Sequence, residues 1–303
     1  MIKIKQMMKN NNFIQNVNLS SYTTIKVGGV TQYLAEPNDI DEFTNLIKWS
    51  NFNNQECRII GAGSNLLINN IFLSGLTICT KRMNSININA DLGIIEAEAG
   101  VMLPYLSNLL AKNGLEGGEW AVGVPGTVGG AICMNAGSKN ASIENNLISA
   151  KVIDTKTLEI SEITRNDINF GYRHSPFQYN NQYIMSAKLQ YNPKGDIEKL
   201  LELTKNNLKL KIETQPYHLP SFGSVFKNPD NNYAAKLIDE LELKGFKIGG
   251  AEISTLHANF IVNNSSANSQ DIFDLITVIQ QKVLQKKGIF LQPEVRMIGF
   301  DYP

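Results

Sequence analysis

From Trp120 to Ser138 the chain reads WAVGVPGTVGGAICMNAGS, 19 residues without a single charge. Such a run is buried either in lipid or in protein, and the two demand different side chains. A membrane helix needs ~20 mostly bulky apolar residues. This run holds five glycines and Pro125 and has little bulky mass, so no membrane insertion is expected. Its glycines instead imply that backbone comes close to another strand or to a ligand, and the rest of the chain must enclose them. The composition allows that: 303 residues, 43% hydrophobic and 18% charged, enough for a sizeable core. At ~100–200 residues per domain, two or three domains are expected.

Local patterns place elements around this run. Asp39 can cap a helix that carries Ile40, Phe43 and Ile47 on one face. CRIIGAG reads as a strand entering a glycine turn, and LTICT, SININ and GIIEAEA as further strands. LPYLSNLLAKNG is a short helix with Pro104 in its first turn and Asn113-Gly114 at its end. SAKVID, EISEI and QYIMSAKLQY follow as strands. A helix at about 196–213 marks a boundary. Beyond it, NNYAAKLIDELELKG and SQDIFDLITVIQQKVLQKKG are both amphipathic. The second shares Ile272, Leu275, Ile276, Ile279 and Val283 on one face and stops at Gly288. HANFIVN and GIFLQPEVRMIGF read as strands, and Glu294 and Arg296, two apart, then share a face. The mixture makes the class α+β or α/β.

Other features narrow the function. Net charge is +0 with no clustered basic stretch, so no nucleic-acid partner is expected. Cys57, Cys79 and Cys133 are scattered, without zinc or disulfide spacing, and the three histidines are dispersed, so no metal is indicated. MIKIKQMMKNNN has no apolar core of a signal peptide, and a reduced, cytoplasmic protein is the expectation.

GAGSNLLI (61–68) tests a Rossmann reading and fails it: Leu66 stands where the third glycine belongs, Lys81 and Arg82 stand where an acid is needed, and no helix opens. A backbone nest fits better. Gly61, Ala62, Gly63, Ser64 and Asn65 offer main-chain and side-chain donors to an anion. Gly123, Pro125, Gly126, Thr127, Gly129, Gly130 and Asn135 repeat that chemistry on a larger scale, and Tyr22, Thr23 and Thr24 of SYTTIKVGG add hydroxyls. Three segments without a carboxylate point to one extended anionic ligand such as a dinucleotide. The alternative is glycines that only let strands pack.

PSFGSVFKNP sets one hydroxyl, Ser224, in an apolar run and follows it with Lys227 and Asn228. From spacing alone, Ser224 reads as a buried serine bonded to backbone.

Taken in order, YTTIKVGG, GAGSNLLI, GVPGTVGGAICMNAG, FGYRHSPF, GSVFKNP, GAEISTLHANFIVN and PEVRMIG resemble the UDP-N-acetylenolpyruvoylglucosamine reductase family, over about residues 13–300. The short stretch between GYRHSPF and GSVF resembles its type II branch, which lacks an inserted substrate-gating segment. The resemblance implies an α+β fold: a two-subdomain FAD-binding unit of the vanillyl-alcohol-oxidase/PCMH type, at 1–75 and 76–195, and a substrate domain at 196–303 whose last strand returns to the first subdomain. It implies non-covalent FAD, NADPH as hydride donor and a nucleotide-sugar substrate.

Residue by residue, the likeness makes Ser224 the proton donor, Arg173 the group that grips the substrate carboxylate, and Glu294 a third catalytic group on the enolpyruvyl ether. Tyr172, Lys227 and Asn228 become substrate contacts. His257 is set aside as a hydrogen-bonded structural histidine. The rival readings are an oxidase of the wider flavin class, which would lack the Arg173–Ser224–Glu294 set, and a non-enzymatic flavin-binding module. A monomer is favoured.

Overall fold

The computed structural model describes residues 13–138 and 141–301. The stretch MIKIKQMMKNNN lies outside the described residues. By packing, the chain divides into two units, neither of which is continuous in sequence. The first takes the chain up to Asn16, Gln32–Ala62 and Ser74–Lys209; the second takes Val17–Thr31, Gly63–Leu73 and the chain from Leu210 onward.

The first unit is built on a five-stranded antiparallel sheet in the order Ile160–Thr164, Leu147–Asp154, Gln182–Gln190, Ile94–Glu98, Ile86–Asn89. Strand alternation turns Ile95 and Ala97 inward and Glu96 outward. Leu103, Leu106 and Leu110 of the helix Leu103–Lys112 pack in the same core, with Val128, Ala131 and Ile132 of Val128–Met134. As the sequence suggests, Pro104 sits in the first turn of the earlier helix, and Gly114, at φ +67, lies just past its end. A second core of this unit gathers Phe43, Leu46, Ile47 and Trp49 of the helix Ile40–Phe52 against Leu76 and Ile78. Asp39 caps that helix by accepting the Glu42 N–H at 2.8 Å. Cys57–Ile60 runs parallel to Phe72–Cys79.

The second unit carries a four-stranded sheet in the order Ser221–Ser224, Phe260–Asn263, Ala251–Ile253, Lys247–Ile248. The helix Ser269–Lys287 buries the five residues its periodicity marks, Ile272, Leu275, Ile276, Ile279 and Val283. They share a core with Phe222, Val225, Phe226, Ile25, Val27 and Leu67. Asn268 caps the helix in a capping box with Asp271, and Gly288 ends it at φ +67. The last strand, Arg296–Ile298, pairs in parallel with Leu66–Ile68. LLI is thus a strand, which agrees with the failure of the Rossmann reading.

Two expectations need correction. NNYAAKLIDELELKG forms a helix only over Ala234–Asp239, and Glu242 at φ +53 turns the chain away. GIFLQPEVRMIGF is a strand only at Arg296–Ile298; Pro293, without an N–H, makes only an isolated antiparallel bridge with Phe226, and Glu294 and Val295 lie before the strand begins. Glu294 and Arg296 therefore do not share a strand face.

Packing should outweigh capping in the helix Ser269–Lys287. Asn268→Ala is expected to cost about 1 kcal/mol, and Ile276→Ala about 2–5 kcal/mol because Ile276 is 0% exposed. Urea unfolding of the two variants checks this, and equal losses would contradict it.

Candidate active site

In the first unit, the glycine run closes on itself before it meets any ligand. A Cβ at Gly61 would stand 2.3 Å from Thr127 Oγ1, and one at Gly129 would stand 2.8 Å from Ala99 Cβ. At these two positions close packing by itself requires glycine. Gly130 differs: only Thr127 Oγ1, at 3.4 Å, comes near its Cβ position. Thr127 caps the helix Val128–Met134 by accepting the Gly130 N–H at 3.3 Å. Gly123 closes a 3-10 turn, Pro125 is exposed, and the Gly126 carbonyl accepts the Leu103 N–H at 2.9 Å. Asn135 ends the helix in the left-handed region, at φ +44. Its amide donates to Glu144 Oε1 and to the Gly171 carbonyl, both at 2.8 Å. Its Oδ1 is buried without a partner, as is Trp120 Nε1. Buried polar atoms are nearly always satisfied, so these two atoms are suited to polar groups of a bound ring. Loops without carboxylates, an orphaned acceptor and an orphaned donor together fit a flavin dinucleotide.

Ala62 belongs to the first unit and Gly63, Ser64 and Asn65 to the second. Gly63 has φ +66, and a Cβ there would lie 2.0 Å from the Tyr22 carbonyl oxygen, so no other residue fits. The Gly63 carbonyl accepts the Thr24 N–H at 3.2 Å and the Thr24 hydroxyl at 3.4 Å. Thr23 is buried, and its hydroxyl donates to the Val27 carbonyl at 2.8 Å, shaping the Tyr22–Val27 loop. Asn65 donates its amide to the Glu294 carbonyl at 3.0 Å and accepts the Arg296 N–H on its own carbonyl at 2.9 Å.

Arg173 lies in the first unit at the corner of a narrow turn. Gly171 and His174 exchange main-chain hydrogen bonds of 3.1 and 3.0 Å, and Arg173 has φ +54. A non-glycine residue there is strained and persists only where its surroundings hold it. They do: Asn135 bonds Gly171, Gln178 donates to the Arg173 carbonyl at 3.1 Å and to the Cys133 carbonyl at 3.1 Å, and Ser175 donates to Cys133 at 2.7 Å. The guanidinium donates to the Gly137 carbonyl at 2.9 Å and lies 5.2 Å over the ring of Tyr172, which is exposed. Ser175, Gln178 and Glu144 escape sequence reading because polar residues in a loop carry no periodic signal.

The second unit brings Ser224 and Glu294 together. Phe222, Val225 and Phe226 are each 1% exposed, so the apolar wall beside Ser224 is real. Ser224 itself is half-buried, and no hydrogen bond to a described residue ties down its hydroxyl, unlike the backbone-bonded serine that spacing suggests. Val225 accepts the Glu294 N–H at 2.8 Å, and Lys227 donates its N–H to the Gln292 carbonyl at 2.9 Å. Asn228 Oδ1 accepts the Ala234 N–H at 3.1 Å.

The same unit holds an open cavity of about 580 Å³ lined by Lys236, Asp239, Glu240, Lys244, Leu256 and His257, together with Ala235 and Ala258. Lys244 pairs with Asp239 at 3.0 Å, and Lys236 stands 3.9 Å from Glu240. His257 accepts the Asn259 N–H on Nδ1 at 3.2 Å and meets the Phe260 ring edge-on at 4.7 Å. Burial, and then the Lys244 charge, push its imidazole below the ordinary value of 6.5. It is the structural histidine expected, yet it lines a cavity that the sequence did not reveal. Among the described residues no group of side chains could hold a metal ion, and no helix is long and apolar enough to cross a membrane.

Comparison with known proteins decides what this arrangement serves. A family model described as an FAD binding domain matches residues 31–159, and one described as the C-terminal domain of UDP-N-acetylenolpyruvoylglucosamine reductase matches 215–298. A curated UDP-N-acetylenolpyruvoylglucosamine reductase from Prochlorococcus marinus subsp. pastoris is 74% identical over 98% of this chain and 100% of its own length. The chain belongs to the UDP-N-acetylenolpyruvoylglucosamine reductase family. A member from a Synechococcus species is 46% identical over 95% of this chain and 94% of its own. The crystal structure of the reductase from Thermus caldophilus superposes with a TM-score of 0.79 at 28% identity, covering 95% of this chain and 99% of that one. This family's chemistry is FAD-dependent reduction of an enolpyruvyl group on a nucleotide sugar, in peptidoglycan precursor synthesis. The α+β fold with its FAD-binding part is the one expected.

Two measurements follow. The unfolded chain takes up a proton at His257 before the folded one does, so His257 contributes stability that is present above pH ~6.5 and lost as pH falls below it. Urea midpoints between pH 7.5 and 5 should fall more steeply for the native protein than for His257→Gln; parallel curves would contradict this. Gly63→Ala should fail to fold, whereas Gly130→Ala should keep its melting temperature and show any loss in flavin content, read from the visible absorbance of purified protein.

Proposed function

We propose that the chain reduces UDP-N-acetylglucosamine enolpyruvate to UDP-N-acetylmuramate in the cytoplasm, as a monomer, with NADPH as hydride donor and FAD held non-covalently. In this reading, segments 1–75 and 76–195 hold the FAD through Tyr22–Thr24, Gly61–Asn65 and the Gly123–Asn135 run, and 196–303 binds the nucleotide sugar. Bound FAD supplies the hydride. The chain's own residues supply the rest: a proton, a counter-charge and exclusion of water.

Ser224 donates the proton to the vinyl carbon that does not receive hydride. A free serine is a weak acid, so its surroundings must help: Phe222, Val225 and Phe226 keep water away and strengthen nearby charges. Arg173 meets the substrate carboxylate, where negative charge grows as the double bond is reduced, and its planar guanidinium can offer two parallel hydrogen bonds. Tyr172 stacks on that guanidinium and limits its swing. Glu294 acts on the enolpyruvyl ether from the segment bonded to Val225. Lys227 neutralises the alkoxide left on Ser224, and Asn228 contributes by capping the next helix. The observation that carries this reading is the Ser224 hydroxyl: half-buried, without a hydrogen bond to a described residue, on a segment bonded to that of Glu294.

Purified protein should be yellow, bleach with NADPH and regain its colour when the enolpyruvyl substrate is added. Ser224→Ala should bleach at the native rate but recover colour about 10²–10⁴-fold more slowly. Recovery at the native rate would remove Ser224 as the proton donor.

A further inference from the structure

We propose that Asn259 is the positioning residue of the proton donor, its buried amide holding the segment that follows Ser224. The inference rests on the reading of Ser224 given above. Strand Ser221–Ser224 pairs with Phe260–Asn263 only at Ser221↔Val262 and Ser224↔Phe260, with a break in register between them. Gly223 lies in that break at φ +81, and a Cβ there would meet nothing within 4 Å. Ser224 is therefore not wedged in place through Gly223, and its position depends on what holds the chain beyond it.

Beyond Ser224 the strand ladder has ended, yet the chain stays bonded. Val225 donates its N–H to the Asn259 carbonyl at 2.9 Å. The Asn259 side chain then turns back on the next residue. Its Oδ1 accepts the Phe226 N–H at 3.0 Å, and its Nδ2 donates to the Phe226 carbonyl at 2.9 Å. The side-chain amide thus stands in for a peptide unit of a missing strand. Asn259 is 4% exposed and Phe226 1%, so water cannot easily replace either bond. On the other edge, Val225 accepts from Glu294 and Lys227 donates to Gln292. Asn259 therefore holds one edge of Val225–Phe226 while Gln292 and Glu294 hold the other.

Asparagine suits this role through its chemistry. Aspartate keeps the acceptor but loses the donor, and would face the Phe226 carbonyl with a charge. Leucine has a similar shape but leaves both main-chain groups of Phe226 bare. Because proton transfer is sensitive to placement, a shift of about 1 Å costs roughly 100-fold in rate.

The test uses flavin-loaded Asn259→Leu, Asn259→Asp and Ser224→Ala. Both Asn259 variants should keep their FAD and bleach with NADPH at the native rate, yet regain colour with substrate roughly 100-fold more slowly. They should also show a larger solvent deuterium effect on that step. Independently of activity, the Phe226 amide should exchange slowly with deuterium in the unaltered protein, in Ser224→Ala and in Asn259→Asp, which keeps the acceptor, and fast in Asn259→Leu. Native recovery in the Asn259 variants beside an inactive Ser224→Ala would overturn the role of Asn259 alone. Equal loss of bleaching and recovery would reduce Asn259 to a structural part, which also overturns it. Native recovery in Ser224→Ala would instead overturn the proton-donor reading. If Asn259→Leu does not fold, Asn259→Asp and the exchange of the Phe226 amide in the unaltered protein decide, and a fast-exchanging amide there would end the proposal.

Discussion

A strand that stops inside a protein must hand its main-chain polar groups to new partners. The second unit depends on how this is done at Val225–Lys227. Phe222, Val225 and Phe226 are core residues, so the backbone between them cannot turn to water. Three partners take it up: Asn259, Gln292 and Glu294. The same bonds that satisfy the backbone also place a hydroxyl and a carboxyl group on adjoining segments. A segment this well bonded has little freedom to move its side chains, which suits the proposed role of Ser224.

The first unit solves a related problem with strain. Arg173 stands at a positive φ that most residues avoid, and a shell of amides and a hydroxyl from Asn135, Ser175 and Gln178 over-determines its turn. Glu144 holds Asn135 and is itself paired with Arg165 at 2.7 Å. On the proposed reading of Arg173, a guanidinium that meets a substrate carboxylate gains from such fixing, since less freedom is lost when substrate arrives.

Much of the fold was legible from pattern alone. Asp39, Pro104 and Gly288 mark helix ends because caps follow from local chemistry, and the Ile272–Val283 stripe marks a buried face because a helix repeats every 3.6 residues. Elements failed where local preference met a tertiary demand. The helix from Ala234 stops at Asp239, shortly before Glu242 takes a positive φ, and the stretch before Arg296 makes only an isolated bridge of Pro293 to Phe226 before Glu294 and Val295 both turn their N–H groups to Val225. The glycines divide in the same way. Their number announces close approach, but whether backbone, as at Gly63, or open space, as at Gly130, lies opposite depends on residues far away in the chain.

The candidate site was legible chiefly through motif likeness, which picked out Ser224, Arg173 and Glu294 without saying what orients them. Asn65, expected at the cofactor, spends its amide on the Glu294 carbonyl, and Asn259 passed as part of a strand motif. Sequence by itself determined the helix caps at Asp39, Pro104 and Gly288 and the apolar face of Ser269–Lys287, since these follow from neighbours along the chain. Only the tertiary structure decided that Asn259 and Glu294 grip the chain beside Ser224 and that an orphaned oxygen waits at Asn135. Hydrogen bonds between residues dozens to hundreds of positions apart leave no periodic trace in the order of amino acids.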